Sequence, residues 1–300
     1  MRTIVHPGAV RESRMDLVAC NGREIEVTLA ADCTLEKAVE QALALLNVDS
    51  AWLKIACADV SVLDYVIPAE SPDESHVAWY SDVKGFGEGR IDQLGMIVGR
   101  HNGESFLHGH GLWTPADGAQ AMGHILAKQT KLAMPVKAKG IGLVGAQFDR
   151  RADSETGFEL FHVDKKKNKD ISYATAGTDT EVQQYTSAGA DAEFAAVRLL
   201  PNQDFAFGIE TACRTLGWSS ARVHGLGSVN GARFEDGKVL DSLPTEFLVT
   251  DAYTGKGAEA KGPEIVIVGV DGETILSGRL SCGENAVLVT AELVLQRADC

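Results

Sequence analysis

The chain has 300 residues, a net charge of −14 and a hydrophobic fraction of 45%. This length is typical of two domains, and the composition is typical of a soluble globular protein with a core in each domain. The acidic balance argues against a nucleic-acid-binding protein, because Lys and Arg supply most of the non-specific affinity for phosphates. The sequence has no apolar run long enough to span a membrane, and its N-terminal residues do not show the pattern of a signal peptide. The six cysteines are scattered along the chain. We therefore expect a cytoplasmic protein whose thiols are reduced.

An ungapped internal match relates residues 27–53 to residues 197–223, at a constant offset of 170. Each stretch begins with the apolar and polar alternation of a half-buried strand and continues through a polar turn into a helical pattern. The apolar residues of both helices recur at positions i, i+4, i+7, i+8 and i+11, counted from Leu35 and from Phe205. The match predicts the same strand–turn–helix–strand unit in the two halves of the chain.

The helix boundaries are predicted from capping residues. Thr34 and Asp204 are suitable N-caps, because their side-chain oxygens can accept a hydrogen bond from the first turn. We therefore expect helices at about residues 34–46 and 204–216, each with one apolar face packed on a sheet.

The first half carries an insert at residues 68–82, rich in aromatic and acidic residues, that has no counterpart in the second half. Such a segment either lines a pocket or forms a surface loop capped by an aromatic pair. Its Glu70, Asp73, Glu74 and His76 are candidates for a general acid or base or for a further metal ligand. The sequence alone does not choose among them.

Arg100 follows a predicted strand at residues 96–99. An arginine at this place can bind a substrate carboxylate through two parallel hydrogen bonds. The alternative is an ordinary charge at the end of a strand, and both interpretations stay open at this point.

Three histidines of the first half form the main candidate site. His108 and His110 stand two residues apart in a strand-like segment, so their side chains face the same side with Cα atoms about 6.5–7 Å apart. His124 follows the Asp117–Gly118 turn, where a returning hairpin strand would bring it beside the other two. Three imidazoles at about 2.0–2.1 Å from one ion leave a fourth position open, as in catalytic zinc sites. The alternatives are a metal-free site for a small molecule and a hydrogen-bonded structural cluster.

The second half lacks this constellation. Aligning its sequence with the first half places Val266, Val268 and Arg279 at the positions of the three histidines. Because these residues cannot hold a metal, the fold does not depend on the histidines. We therefore assign function to the first half, and a scaffolding, oligomerisation or lid role to the second.

Together, these motifs resemble the PPC domain, the "plants and prokaryotes conserved" domain. The residues that carry the resemblance are the His-Gly-His strand, the Asp-Gly turn and Gly123-His124-Ile125-Leu126 in the first half, and the segments 224–229 and 289–295 in the second. The resemblance implies an α/β (α+β) fold in which a mixed, largely antiparallel sheet packs on a helix. Applied twice, it gives a domain at 1–150 with the histidine site, a linker at 151–190 and a second domain at 191–300 without the histidines.

The resemblance also implies assembly into homotrimers, as in bacterial and archaeal members. Plant members carry AT-hooks, and the DNA-binding label of the family follows from that association. This sequence contains no Arg-Gly-Arg-Pro core of an AT-hook.

From these patterns we expect a metal-dependent protein or enzyme that binds a small anionic metabolite, with zinc as the favoured ion. If the protein is an enzyme, metal-assisted hydration, hydrolysis or lyase chemistry is the simplest mechanism. The alternatives are a DNA-associated regulator and a structural oligomeric module with a vestigial site.

Overall fold

The computed structural model describes residues 1–73, 75–166, 192–255 and 262–298. These parts of the chain contain two α-helices and 21 strands. The elements of the first half are β1 (Met15–Leu29), α1 (Leu35–Ala44), β2 (Ser50–Val66), β3 (Pro68–Ala69), β4 (Trp79–Tyr80), β5 (Lys84–Phe86), β6 (Gly89–His101), β7 (Glu104–Pro115), β8 (Ala121–Ile125), β9 (Lys131–Leu132), β10 (Val136–Val144), β11 (Ala146–Ala152) and β12 (Glu159–Lys165). Those of the second half are β13 (Phe194–Leu199), α2 (Phe205–Leu216), β14 (Ser220–Val229), β15 (Ala232–Arg233), β16 (Val239–Leu240), β17 (Glu246–Asp251), β18 (Tyr253–Gly255), β19 (Glu264–Val268), β20 (Ile275–Arg279) and β21 (Val287–Arg297).

Both helices begin at the caps predicted from the sequence. The Thr34 hydroxyl accepts a hydrogen bond from the backbone N–H of Lys37, and the Asp204 carboxylate accepts one from the backbone N–H of Phe207. Helix α2 ends at Gly217, whose φ of 74° is a left-handed conformation that glycine adopts without steric penalty. Neither of the two described helices has the length and apolar character that crossing a membrane requires.

The strands of the two halves pair in the same order. In the first half the order is β1–β10–β2–β6–β7–β8, and in the second it is β13–β21–β14–β17–β19–β20. All of these pairs are antiparallel, whereas β6 and β11 pair in parallel. The prediction of a mixed, largely antiparallel, sheet-rich fold is confirmed.

Strand β1 connects the two halves through backbone hydrogen bonds. Its residues 15–20 pair with β13, and its residues 21–29 pair with β10. A single strand therefore belongs to the sheets of both halves and fixes their relative position.

A third core lies between the two sheets, separate from the cores beneath α1 and α2. Residues of β7 alternate between two of these cores: Leu107 and Trp113 pack in the core that contains α1, whereas Phe106 and Leu112 pack in the third core. That third core also contains residues of the second half, such as Val294. Even-numbered side chains of β7 therefore face the second half of the molecule.

The segment at 151–190, expected to be a linker, contains strand β12. This strand pairs with β11 along its whole length, and its Phe161 is buried in the core between the sheets. Residues 167–191 lie outside the described residues.

Candidate metal centre

His108, His110 and His124 lie together on the face of the first-half sheet that looks toward the second half. His110 pairs directly with His124 across β7 and β8, and His108 occupies the next position on the same face of β7. The Nε2 atoms of His108 and His110 are 3.2 Å apart. One ring nitrogen from each of the three histidines lies within 4.8 Å of the other two. The three-histidine group expected from the sequence is present.

Two glycines hold the histidine strand close to its neighbours. A Cβ atom on Gly109 would lie 3.0 Å from side-chain atoms of Met96 and Ile125. A Cβ atom on Gly111 would lie 2.5 Å from the carbonyl oxygen of Gln93, closer than real Cβ contacts. The alternation of histidine and glycine therefore places the imidazoles on one face and tight packing on the other.

The second half supplies the hydrogen-bond partners of two of these imidazoles. The Nδ1 atom of His108 lies 2.6 Å from Oε2 of Glu292, and the Nδ1 atom of His110 lies 2.8 Å from the carbonyl oxygen of Phe247. A carbonyl oxygen and an ionised carboxylate only accept hydrogen bonds, so each ring donates from Nδ1. In the neutral form of each ring, Nε2 then carries the lone pair, and the two Nε2 atoms face each other.

Glu246, at the start of β17, adds a second buried carboxylate. Its Oε1 lies 3.5 Å from Nε2 of His110 and 3.9 Å from Nδ1 of His124. Its Oε2 is buried and has no hydrogen-bond partner among the described residues. Burial alone would lower the pKa of His110, but the charge of Glu246, the Phe247 carbonyl and the charge of Glu292 outweigh it, so the pKa of His110 is raised.

His124 experiences the opposite shift. Burial, followed by the neighbouring His108, His110 and Arg150, holds its pKa well below the usual value. Its Nδ1 lies 3.2 Å from the hydroxyl of Tyr80, and burial of that hydroxyl together with the charge of Glu246 raises the pKa of Tyr80 well above its usual value. His124 is therefore neutral near pH 7 and keeps a lone pair for a ligand.

The histidines open into a cavity of about 340 Å³ that both halves line. Arg150 is the one arginine or lysine among the described residues of its wall, and it forms an ion pair of 2.7 Å with Glu159.

Ala78, Trp79 and Tyr80 of the insert also line the cavity. Of the two interpretations of the insert, pocket lining is the one the structure supports. The remaining wall residues include Phe106, Phe158, Phe161, Ser228, Thr245 and Thr290.

The other candidate residues lie elsewhere. His76 packs against the rings of Trp79 and Phe158 and is not among the residues that line the cavity. Glu70 is exposed, and Arg100 pairs with Ser105 near the end of β6, so neither is among the residues that line the cavity. Asp73 accepts hydrogen bonds from Ser75 in an exposed turn, and Glu74 lies outside the described residues.

The residues that surround the centre fit a divalent metal ion. Three imidazoles and a carboxylate form a nitrogen and oxygen donor set that divalent transition ions accept. Two ligand atoms that each lie about 2.1 Å from one ion are about 3.0–3.4 Å apart when the ligand–ion–ligand angle is between a right angle and the tetrahedral angle. The Nε2 atoms of His108 and His110 are 3.2 Å apart, within this range. The unpartnered oxygen of buried Glu246 also calls for a compensating positive charge.

Strand pairing gives the register between the two halves. Ala56 of β2 pairs with Gln93 of β6. Leu226 of β14, 170 positions after Ala56, pairs with Leu248 of β17. Gln93 and Leu248 therefore occupy corresponding positions.

The next strand shows what replaces the histidines. Leu112 of β7 pairs with Gln93, and Val266 of β19 pairs with Leu248. Leu112 and Val266 therefore occupy corresponding positions. His110 lies two residues before Leu112, so its counterpart is Glu264, two residues before Val266. Glu264 of β19 pairs with Arg279 of the neighbouring strand β20, and the two side chains form an ion pair of 3.1 Å.

The sequence alignment of Val266 and Val268 with His108 and His110 was therefore wrong by four residues. Comparing residues 106–111 with residues 264–269 matches Gly111 to Gly269, but these two glycines have different structural roles. Gly111 lies inside strand β7, whereas the carbonyl of Gly269 accepts a hydrogen bond in the turn after β19.

No protein-family model and no curated protein matches the sequence. Among solved structures, a plant- and prokaryote-conserved (PPC) protein from Pyrococcus horikoshii is 15% identical, with a TM-score of 0.34, over 54% of this chain and 99% of the matched chain. A metal-containing protein from Archaeoglobus fulgidus is 18% identical, with a TM-score of 0.34, over 49% and 96%. A proposed DNA-binding protein from Bacteroides thetaiotaomicron is 13% identical, with a TM-score of 0.36, over 48% and 97%.

Proposed function

We propose that this protein binds a divalent metal ion through His108, His110 and His124, and uses it to bind a small anionic molecule in the adjoining cavity. The observation that carries the proposal is the 3.2 Å separation of two Nε2 atoms whose Nδ1 atoms are both engaged by acceptors. Two ring nitrogens at that distance share one cation, either a proton in an N–H···N hydrogen bond or a metal ion that both rings coordinate. Zinc is the favoured ion, because imidazole nitrogens dominate the donor set.

The same proposal gives the chain two tandem PPC-like domains, at 1–150 and 191–300. The shared strand order and the corresponding positions of α1 and α2 support this assignment. All three histidine ligands come from the first domain, whereas the nearby carboxylate of Glu246 comes from the second. The net charge of −14 disfavours the DNA-associated alternative, since phosphate binding depends on a basic surface.

The cavity residues suggest how a bound molecule would be handled. A divalent ion at the centre would act as a Lewis acid on a carbonyl or phosphoryl oxygen. Arg150 is placed to pair with an anionic group, in exchange for part of its contact with Glu159. The Tyr80 hydroxyl offers a hydrogen bond beside His124, and the free Oε2 of Glu246 can hold a proton removed from the bound molecule. These roles suit hydration, hydrolysis or lyase chemistry.

The aromatic wall of the cavity contributes to the same function. Trp79, Phe106 and Phe158 surround the polar groups with apolar surface. A bound molecule that packs against these rings would exclude water from the site, and this would strengthen the interactions of the ion and of Arg150 with its anionic group.

The test is elemental analysis of the purified protein, followed by titration with Co²⁺ after treatment with a chelator. We expect about one transition-metal ion per chain in the unaltered protein. The double variant His108→Ala/His110→Ala should contain none, because a single imidazole does not hold the ion. The fold should persist, since the second half adopts the same strand order without any histidine group.

The matched control is the double variant Glu264→Ala/Arg279→Ala, which alters the corresponding strands of the second half. It should keep the full metal content. Absence of any stoichiometric ion in the unaltered protein, together with a Co²⁺ titration that the histidine substitutions do not change, would contradict the proposal.

A further inference from the structure

We infer that the second half builds the outer shell of the histidine site, and that Glu292 is the positioning residue that holds His108 as its Nδ1–H tautomer. The consequence for metal affinity rests on the proposed function. The tautomer itself is a property of the metal-free protein.

The contact between Glu292 and His108 is short and buried. Its length is 2.6 Å, and the side chains of Glu292 and His108 are 1% and 12% exposed. A carboxylate at this distance forms a charge-assisted hydrogen bond, roughly twice as strong as a neutral one. No lysine or arginine of the described residues lies within ion-pair distance of Glu292. Its hydrogen bond to the imidazole is therefore the main compensation for its buried charge.

This bond decides which nitrogen of His108 faces the site. An imidazole that donates from Nδ1 in the neutral form carries its lone pair on Nε2. That Nε2 is the atom 3.2 Å from Nε2 of His110. If Glu292 were absent, the proton could move to Nε2 and occupy the place of the ion.

His110 is held in the same way by a different acceptor. Its Nδ1 donates to the carbonyl of Phe247, which belongs to β17 of the second half. The two acceptors are 184 and 137 residues away in sequence from the rings that they orient. The first half thus supplies the ligands and the second half sets their protonation pattern, so the site is incomplete without both halves.

The strand arrangement explains how the second half reaches the histidines. Glu292 and Val294 lie on the same face of β21, and Val294 is part of the core between the sheets. His108 faces that core from β7, as its neighbours Phe106 and Leu112 do. The carboxylate and the imidazole therefore meet where the two sheets pack against each other.

The decisive measurement is the tautomer of His108 in the full-length, metal-free protein, read from long-range ¹⁵N–¹H correlation spectra. In the unaltered protein we expect the proton on Nδ1. Glu292→Met keeps the length of the side chain but removes the acceptor, so the Nε2–H form should appear. Glu292→Gln keeps an acceptor without the charge and should retain more of the Nδ1–H form than Glu292→Met does.

Affinity for Zn²⁺, measured by competition with a chromophoric chelator, should follow the same order. Loss of an outer-shell partner typically lowers metal affinity about 10- to 100-fold. We expect that loss for Glu292→Met and a smaller one for Glu292→Gln. Glu264→Gln, which removes a carboxylate of the second half that contacts Arg279, should leave both the tautomer and the affinity unchanged.

The possible failures are distinguishable. An Nε2–H form of His108 in the unaltered protein, or an unchanged tautomer in Glu292→Met, overturns the positioning role whether or not metal binds. A tautomer shift in Glu292→Met without any metal binding by the unaltered protein supports the positioning role and contradicts the proposed function instead.

Discussion

The two halves place different polar groups at corresponding positions of the same strands. In the first half, His110 faces His124, while in the second half Glu264 faces Arg279. The His110 side chain is 2% exposed, whereas those of Glu264 and Arg279 are 39% and 33% exposed. The carboxylate and the guanidinium neutralise each other and need no further partner. The buried imidazoles instead take their hydrogen-bond acceptors from the second half and keep ring nitrogens that face the cavity, and this difference separates a partly exposed ion pair from a site that can bind a ligand.

A second ion pair sharpens this comparison, because it is buried between the halves. Arg198 of β13 is fully buried and lies 2.8 Å from Asp153, which is 1% exposed. Arg198→Met should reduce the free energy of unfolding by about 3–5 kcal/mol, since it leaves the buried Asp153 carboxylate without its partner. Denaturant unfolding measures this effect. A loss below about 1 kcal/mol would show that the buried and exposed pairs do not differ as the structure indicates.

The buried pair of Arg198 and Asp153 also predicts that the free energy of unfolding decreases at acidic pH. Burial opposes ionisation of Asp153, but Arg198 and the Thr156 hydrogen bonds prevail and lower its pKa to about 2. A lowered pKa contributes stability that is present above about pH 4 and is lost as the pH falls toward 2. We expect a decrease of about 2 kcal/mol across this interval from this group. Urea unfolding at pH 5, 4, 3 and 2 tests it, and a stability that stays constant below pH 4 would contradict the assignment.

Much of the fold follows from local patterns in the sequence. The helix caps Thr34 and Asp204 have short-range partners three residues away, so composition and spacing are enough to find them. The same holds for the three histidines, because strand period and one hairpin turn bring them together. The alignment of β19 with the histidine strand β7 was wrong, because a glycine that matches in sequence does not show whether it lies in a strand or in a turn.

The outer shell of the site was also missed, because its residues from the second half lie more than 120 residues from the histidines. A signal was nevertheless present. Glu292 is a lone carboxylate within the apolar run of residues 287–295, and such a residue is almost never buried unless it is paired. Glu246 precedes the apolar Phe247-Leu248-Val249 in the same manner. What the sequence could not give is the identity of the partner, which depends on the packing of the two sheets.

The pH dependence of metal binding tests the opposite pKa shifts of His110 and His124. The pKa of His110 is raised, so a proton competes with the ion at pH values above the ordinary 6.5 of histidine. The pKa of His124 is lowered, so that ring does not compete until the pH is well below 6.5. Affinity for Co²⁺ should therefore fall by up to about tenfold per pH unit below the pKa of His110. Calorimetry in two buffers of different ionisation enthalpy should show proton release near pH 7, and binding without proton release there would contradict the raised pKa.

The smallest effect is expected for the ion pair that replaces the histidines. Arg279→Gln or Glu264→Gln should change the free energy of unfolding by no more than about 1 kcal/mol, because both side chains are partly exposed and water solvates the remaining partner. Neither change should alter the metal content, since the pair belongs to strands of the second half that supply neither the histidines nor their acceptors. Unfolding in 0.1 M and 1 M salt adds a further check, because an exposed pair is screened by salt and its small contribution should vanish at the higher concentration. A loss of several kcal/mol, or a loss of metal, would mean that the second-half position is coupled to the histidine site, and the division of roles between the two halves would then be wrong.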